Sequence, residues 1–205
     1  MSQHIHSLLC LGDSYTIGEG VPLYESFPYQ TMQLLRKAGV HVHAPEMVAK
    51  TGWTTFELAE YLIHHQLEES YDVVSLLIGV NNQYRGLSIE SFQEDAEFLL
   101  RKAIHLAGNL SHRVAVLSIP DWGVTPFAKD RDKDAIAQQI DAFNAVLQAL
   151  CERHKVTFLD HSIASRAAAN DSSLLASDGL HPSGKLYAQW AASFADWMQQ
   201  QIHKH

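Results

Sequence analysis

The chain has 205 residues, a length suited to one α/β domain with a single core, so one domain over residues 1–205 is expected. Acids outnumber bases 23 to 15, giving a formal charge of −8, and no basic run is present; nucleic acid and anionic membrane are therefore excluded as main partners. No stretch approaches the roughly eighteen apolar residues that a membrane span needs, and the first apolar run is too short for a signal-peptide core, so the expected location is cytoplasmic unless a leader has been removed.

The first apolar run, Leu8-Leu9-Cys10-Leu11, reads as a buried strand ending at Gly12-Asp13-Ser14. Ser14 thus falls just past a strand's C-terminal end, the edge where ligands bind in open parallel sheets. A helix is expected from about Ser26, with Pro28 early in it, to Gly39. The second strand is either Val40–His43 or Met47-Val48-Ala49. Thr54 and Glu57 have capping-box spacing, so a second helix starts there, with Leu58, Tyr61, Leu62 and His65 facing inward. Val73–Ile78 is the clearest strand, continuously apolar but for Ser75, which implies burial on both faces.

Asn81 follows in the turn 79–86, and Ser88 caps a long helix that runs to Gly108. Residues 113–119 read as a strand, 133–153 as a helix and 156–159 as a last strand. A Ser/Ala/Asn-rich stretch precedes Asp178, and a final helix from Ser183 carries Leu186, Trp190, Phe194 and Trp197 inward. The alternation implies an α/β fold: a three-layer α/β/α sandwich with about five parallel strands and right-handed crossovers.

Four loops far apart in sequence should then meet at one sheet edge, and their residue types fit acyl transfer. Ser14 can attack an ester carbonyl, His181 can take its proton, and Asp178, three residues from His181, can hold the imidazole's tautomer with both side chains turned toward Ser14. The backbone N–H groups of Ser14 and Gly52 and the Asn81 amide can bind the oxyanion. Trp53, Tyr84, Trp122 and Phe127 lie on loops at the same edge and are candidates to line a substrate pocket. Arg85 is the one base near Asn81, either a contact for an anionic substrate group or a solvated charge.

Gly12-Asp13-Ser14, Gly52, Gly79-Val80-Asn81 and Asp178-Gly179-Leu180-His181 resemble, in order and spacing, the four blocks of the SGNH hydrolase superfamily (GDSL-type lipases and esterases). The resemblance spans Leu8 to Pro182 and implies a flavodoxin-like sandwich and a metal-free serine hydrolase. It assigns Ser14 as nucleophile, Asp178 and His181 as its relay, and Ser14, Gly52 and Asn81 as oxyanion donors. Tyr15 stands where the family's name has Leu, and Asn82 where the third block often has Asp. An amide cannot carry that charge, so Asn82 is read as structural.

The expected activity is hydrolysis of a small-molecule carboxylic ester, by a small-acyl esterase or deacetylase or a lysophospholipase-like enzyme. The alternatives are an acyl thioesterase on the same site and a non-catalytic flavodoxin-like phosphate-binding module; against the latter, Glu19 would repel an anion at the first loop. No cofactor is expected. Thirteen histidines raise the question of metal, but His4/His6 and His41/His43, each pair sharing a face of an extended segment, have no third ligand at a zinc-like spacing, and His203-Lys204-His205 reads as a frayed end. Cys10 and Cys151 make no disulfide framework.

Overall fold

The first strand, β1 (Leu8–Gly12), lies inside a five-stranded parallel sheet and carries the Ser14 loop at its end. In the computed structural model, which describes residues 4–202, β1 leads through the short helix α1 (Ser14–Ile17) to α2 (Phe27–Lys37), then β2 (Glu46–Ala49), α3 (Thr55–His64) and β3 (Val73–Leu77). There follow α4 (Val80–Tyr84), α5 (Ile89–Leu106), β4 (Val114–Leu117), α6 (Lys133–His154), β5 (Thr157–Leu159), α7 (Ser162–Arg166) and α8 (Gly184–Ile202). The sheet order is β2-β1-β3-β4-β5. From β1 the chain steps one way to β2, then back past β1 to β3 and onward. Right-handed crossovers therefore put α2 on one face of the sheet and α3, α5 and α6 on the other. α8 packs against α2, completing the first layer.

β1 and β3 are buried along their whole length, as their almost wholly apolar sequences require, with Ser75 the one polar residue. β2 settles the open choice: it is the Met47-Val48-Ala49 run with Glu46 added, while Val42 makes only an isolated bridge to His6. Register, more than strand length, positions the loops. Gly12 sits opposite Ala49 on one side and Leu77 on the other, so three strands end level. The residues just past those ends, Ser14, Gly52 and Asn81, are thereby placed on one edge.

The capping signals are realised in the structure. Thr54 accepts from the Glu57 N–H, and Glu57 accepts from the Thr54 N–H in return. Ser88 accepts from the Ser91 N–H at the start of α5. The Ser/Ala/Asn-rich stretch before Asp178, to which the sequence assigns no element, holds α7 and two 3-10 turns. Three expectations need correction. Ser14 is the first residue of a short helix rather than part of a plain turn, and the turn after β3 contains another helix, α4. His65 does not face inward: it is exposed at the end of α3, with its ring stacked on Tyr61 at 3.7 Å. The expected frayed end at residues 203–205 lies outside the described residues. Among the described residues no helix is long and apolar enough to cross a membrane. Cys10 and Cys151 are buried free thiols, both pushed up to about 12 by that burial, which keeps them protonated.

Candidate active site

The chain leaves β1 through a contact that only glycine permits. A Cβ on Gly12 would lie 2.1 Å from Thr16 Oγ1 and 2.4 Å from the Leu77 carbonyl oxygen. Asp13 caps α1 by accepting from the Tyr15 N–H at 3.0 Å, which makes Ser14 the first helical residue. The Ser14 N–H thus belongs to the first turn, which has no intrahelical acceptor, and can point toward a ligand. Asp13 is fully buried, and burial pushes its carboxyl up to about 7 despite the bond from Tyr15.

His181 arrives from the other end of the chain. The turn 176–181 is closed by the Gly179 N–H to the Ala176 carbonyl and the Ala176 N–H to the His181 carbonyl. Asp178 Oδ1 accepts from the N–H groups of Leu180 and His181 at 2.9 and 3.0 Å, leaving Oδ2 for His181 Nδ1 at 2.6 Å. Partial burial pushes the Asp178 carboxyl up, but these three hydrogen bonds and the facing imidazole outweigh it and hold it below the usual range. An ionised Asp178 accepts from Nδ1–H, so Nε2 carries the lone pair. Ser14 Oγ, 3.0 Å from Nε2, donates to it. Asp178 therefore does not face Ser14, contrary to the expectation from spacing. It stands behind the imidazole, and the order in space is Asp178, His181, Ser14.

Gly52 occupies the third position of a turn closed by the Trp53 N–H to the Lys50 carbonyl, with a φ of 81°, in the left-handed region. Arg85 Nη2 donates to the Gly52 carbonyl at 2.5 Å, and Nη1 lies 3.3 Å from Glu57. Arg85 thus anchors this peptide and is not a bare solvated charge. Asn81 Nδ2 donates to the Trp53 carbonyl at 2.9 Å and lies 3.5 Å from Asp13 Oδ2. Asn82 is buried one residue on: its Oδ1 accepts from the Thr55 N–H at 3.0 Å and its Nδ2 donates to Thr55 Oγ1 at 2.7 Å. An uncharged amide can both accept and donate there, tying α4 to the start of α3.

Ser14, Gly52, Asn81 and His181 line one cleft of about 150 Å³. Tyr84, Trp122 and Phe127 line it too, with Tyr84 and Phe127 exposed at the rim and Trp122 buried. The Tyr84 ring lies 5.3 Å from Trp122 and 6.2 Å from Phe127, and Trp122 Nε1 donates to Gln83 at 2.7 Å. Trp53 is not among the lining residues: its ring packs on Tyr61 at 5.1 Å, away from the cleft. Tyr15, which stands where the family's name has Leu, lines the cleft with its ring 5.0 Å from that of His181. Val80 and Leu180 complete the apolar wall, and no sequence signal distinguishes them from ordinary core residues.

A family model described as the GDSL-like lipase/acylhydrolase family matches residues 10–189. Sequence comparison with curated proteins returns no match. Among solved structures the chain is similar to the psychrotrophic esterase EstA from Pseudoalteromonas sp., at 17% identity over 97% of this chain and 100% of that one, with a TM-score of 0.73. The acetylxylan esterase Axe2 from Geobacillus stearothermophilus aligns at 16% identity over 97% and 96% of the two chains, with a TM-score of 0.74. The lipase/acylhydrolase from Enterococcus faecalis aligns at 23% identity over 95% and 96%, with a TM-score of 0.72.

Proposed function

The chain belongs to the GDSL-like lipase/acylhydrolase family and is a carboxylic ester hydrolase, and from that premise we propose that it cleaves short-chain acyl esters through an acyl-Ser14 intermediate. The observation that carries the assignment is the unbroken hydrogen-bond path from Asp178 Oδ2 through the His181 ring to Ser14 Oγ, at 2.6 and 3.0 Å. Ser14 Oγ attacks the carbonyl carbon as its proton passes to His181 Nε2, and Asp178 stabilises the imidazolium. The oxyanion takes hydrogen bonds from the N–H groups of Ser14 and Gly52 and from Asn81 Nδ2. Collapse expels the alcohol, which takes the proton from His181. Water then attacks the acyl-serine, giving its proton to the same nitrogen, and the second collapse releases the carboxylic acid as Ser14 Oγ takes that proton back from His181. With Ser14 and His181 at opposite ends of the chain, we read residues 1–205 as one catalytic unit.

The acyl size follows from the cleft. Its volume of about 150 Å³ is below the roughly 300 Å³ at which drug-sized ligand pockets begin. Val80, Tyr15 and Trp122 wall it, leaving room for a short acyl group, while the exposed Tyr84 and Phe127 rings offer the alcohol part an apolar shelf. The test is a panel of esters graded by acyl length, with acetylated sugars, lysophospholipids and acyl thioesters beside it. We expect kcat/KM to be highest for acetyl and propionyl esters and to fall as the chain lengthens. Rates that climb toward long acyl chains, or thioesters cleaved in preference to matched oxygen esters, would overturn the substrate assignment.

A further inference from the structure

We propose that His4, His6 and Asp72 form a zinc-binding site at the N-terminal edge of the sheet, the edge opposite the cleft. The segment before β1 is extended, so His4 and His6, two residues apart, share a face. The register that pairs Leu8 with Val73 sets Ser7 beside Asp72. The Ser7 N–H and Oγ–H both donate to Asp72 Oδ2, at 2.8 and 3.2 Å, and the Asp72 N–H donates to Ser7 Oγ at 3.0 Å. These bonds fix the carboxylate in the way that outer hydrogen bonds orient a metal ligand.

Its Oδ1 lies 3.0 Å from His4 Nε2 and 3.8 Å from His6 Nδ1. All three donor atoms fall within 4.8 Å of one another. Tetrahedral zinc, with bonds of about 2.0–2.1 Å, sets its ligands roughly 3.3 Å apart. The Asp72–His6 edge has to contract by about half an ångström and the His4–His6 edge by more, and the exposed His4 side chain has room to make the larger movement.

The donor set selects the ion. Calcium and magnesium ask for more oxygens than one carboxylate supplies. Two imidazoles and one carboxylate suit zinc, with a fourth position open to solvent beside His4. Sequence spacing could not reveal the site because its third ligand comes from the start of β3, 68 residues after His4. A bound ion ties the segment before β1 to β3, so its effect falls on stability and not on turnover.

The test titrates zinc sulfate into chelator-treated full-length protein near neutral pH, against a chromophoric chelator and with thermal melts in parallel. We expect a single zinc per chain, with Tm raised by roughly 5 °C at zinc about a hundredfold above Kd. Both effects should vanish in His4→Ala and Asp72→Asn, while ester hydrolysis by His4→Ala stays at the wild-type rate. Magnesium should do nothing. Should Asp72→Asn fail to fold, His4→Ala decides alone, because that side chain is exposed. Absence of zinc uptake overturns the proposal. So does uptake with a Tm rise that persists in His4→Ala, since the ion would then sit on other histidines.

Discussion

His181 and His161 each touch a serine, and they illustrate what separates the proposed base from a packing residue. His181 Nε2 lies 3.0 Å from Ser14 Oγ; His161 Nε2 lies 2.6 Å from Ser193 Oγ. The shorter contact is the inert one. Ser193 donates its hydroxyl hydrogen to the Trp190 carbonyl at 3.0 Å, so it can only accept from His161 Nε2–H. That nitrogen has no lone pair to offer. His161 Nδ1 is buried with no hydrogen-bond partner among the described residues, and Asp160 spends its carboxylate on the Ser162 N–H. In His181 the roles are reversed, because Asp178 accepts from Nδ1–H and leaves Nε2 as the acceptor. The partner of the second ring nitrogen, not the distance to the serine, decides which histidine can take a proton.

The largest effect that can break this comparison comes from exchanging the two serines' fates. Ser14→Ala should lose ester turnover to background and lose labelling by a fluorophosphonate probe, while Ser193→Ala keeps both. Near-wild-type hydrolysis by a folded Ser14→Ala protein would falsify the nucleophile assignment. Next comes the orienting carboxylate. Asp178→Asn leaves the ring in place but removes its tautomer preference, and kcat should drop by roughly 10⁴-fold, measured at saturating ester. A loss of less than tenfold would mean that solvent sets the tautomer instead.

A smaller effect sharpens the reading at the oxyanion side. Asn81→Ala should lower kcat by roughly a hundred- to a thousandfold with little change in KM, because its bond forms chiefly in the transition state. Asn82→Ala is its companion and should act on Tm through the lost Thr55 contacts. Crippled turnover in Asn82→Ala alone would move the oxyanion donor by one residue.

The smallest effect is a pH dependence in stability. Burial pushes His161 down to about 4, from an ordinary value near 6.5. Below about 6.5 the unfolded chain binds a proton at this site that the folded chain refuses. The contribution of His161 to stability is therefore fully present above that pH and is lost as pH falls toward 4. Melts of His161→Phe should converge on or exceed wild type as pH drops through this window. Parallel Tm profiles of the two proteins would remove His161 from the account.

Much of this was legible in the sequence, for identifiable reasons. β1 and β3 are apolar but for Ser75 because both faces are covered, and such runs stand out; β2 is short with Glu46 exposed, so its position stayed open between two segments. Capping is local chemistry, and Thr54 with Glu57 and Ser88 could be read directly. Gly12, Gly52 and Asn81 could be gathered to one edge because parallel strands put their C-terminal turns together.

What could not be read depends on contacts made at a distance. α7 and its neighbouring turns have no helical stripe; they are held by Arg166 on Asp121 at 2.9 Å and by Ser165 Oγ beneath the Asp121 N–H. The direction of the Trp53 ring is set by Tyr61, and the place of Tyr15 by His181. No periodicity encodes either.

The packing of α2 on α8 carries a consequence for synthesis. Phe27, just after the Ser14 loop, meets Trp190 and Phe194, just after the His181 turn, with ring centroids 6.5 and 6.0 Å apart. Ser14 and His181 are 167 residues apart in sequence, and this first-to-last clasp is what holds them together. Under the proposed mechanism, a nascent chain that has already made Ser14 stays inert until α8 has emerged and docked on α2. Hydrolysis is thus a readout of complete folding, and a chain cut in the exposed loop at residues 129–132 would divide serine from base into two silent halves whose rejoining alone restores turnover.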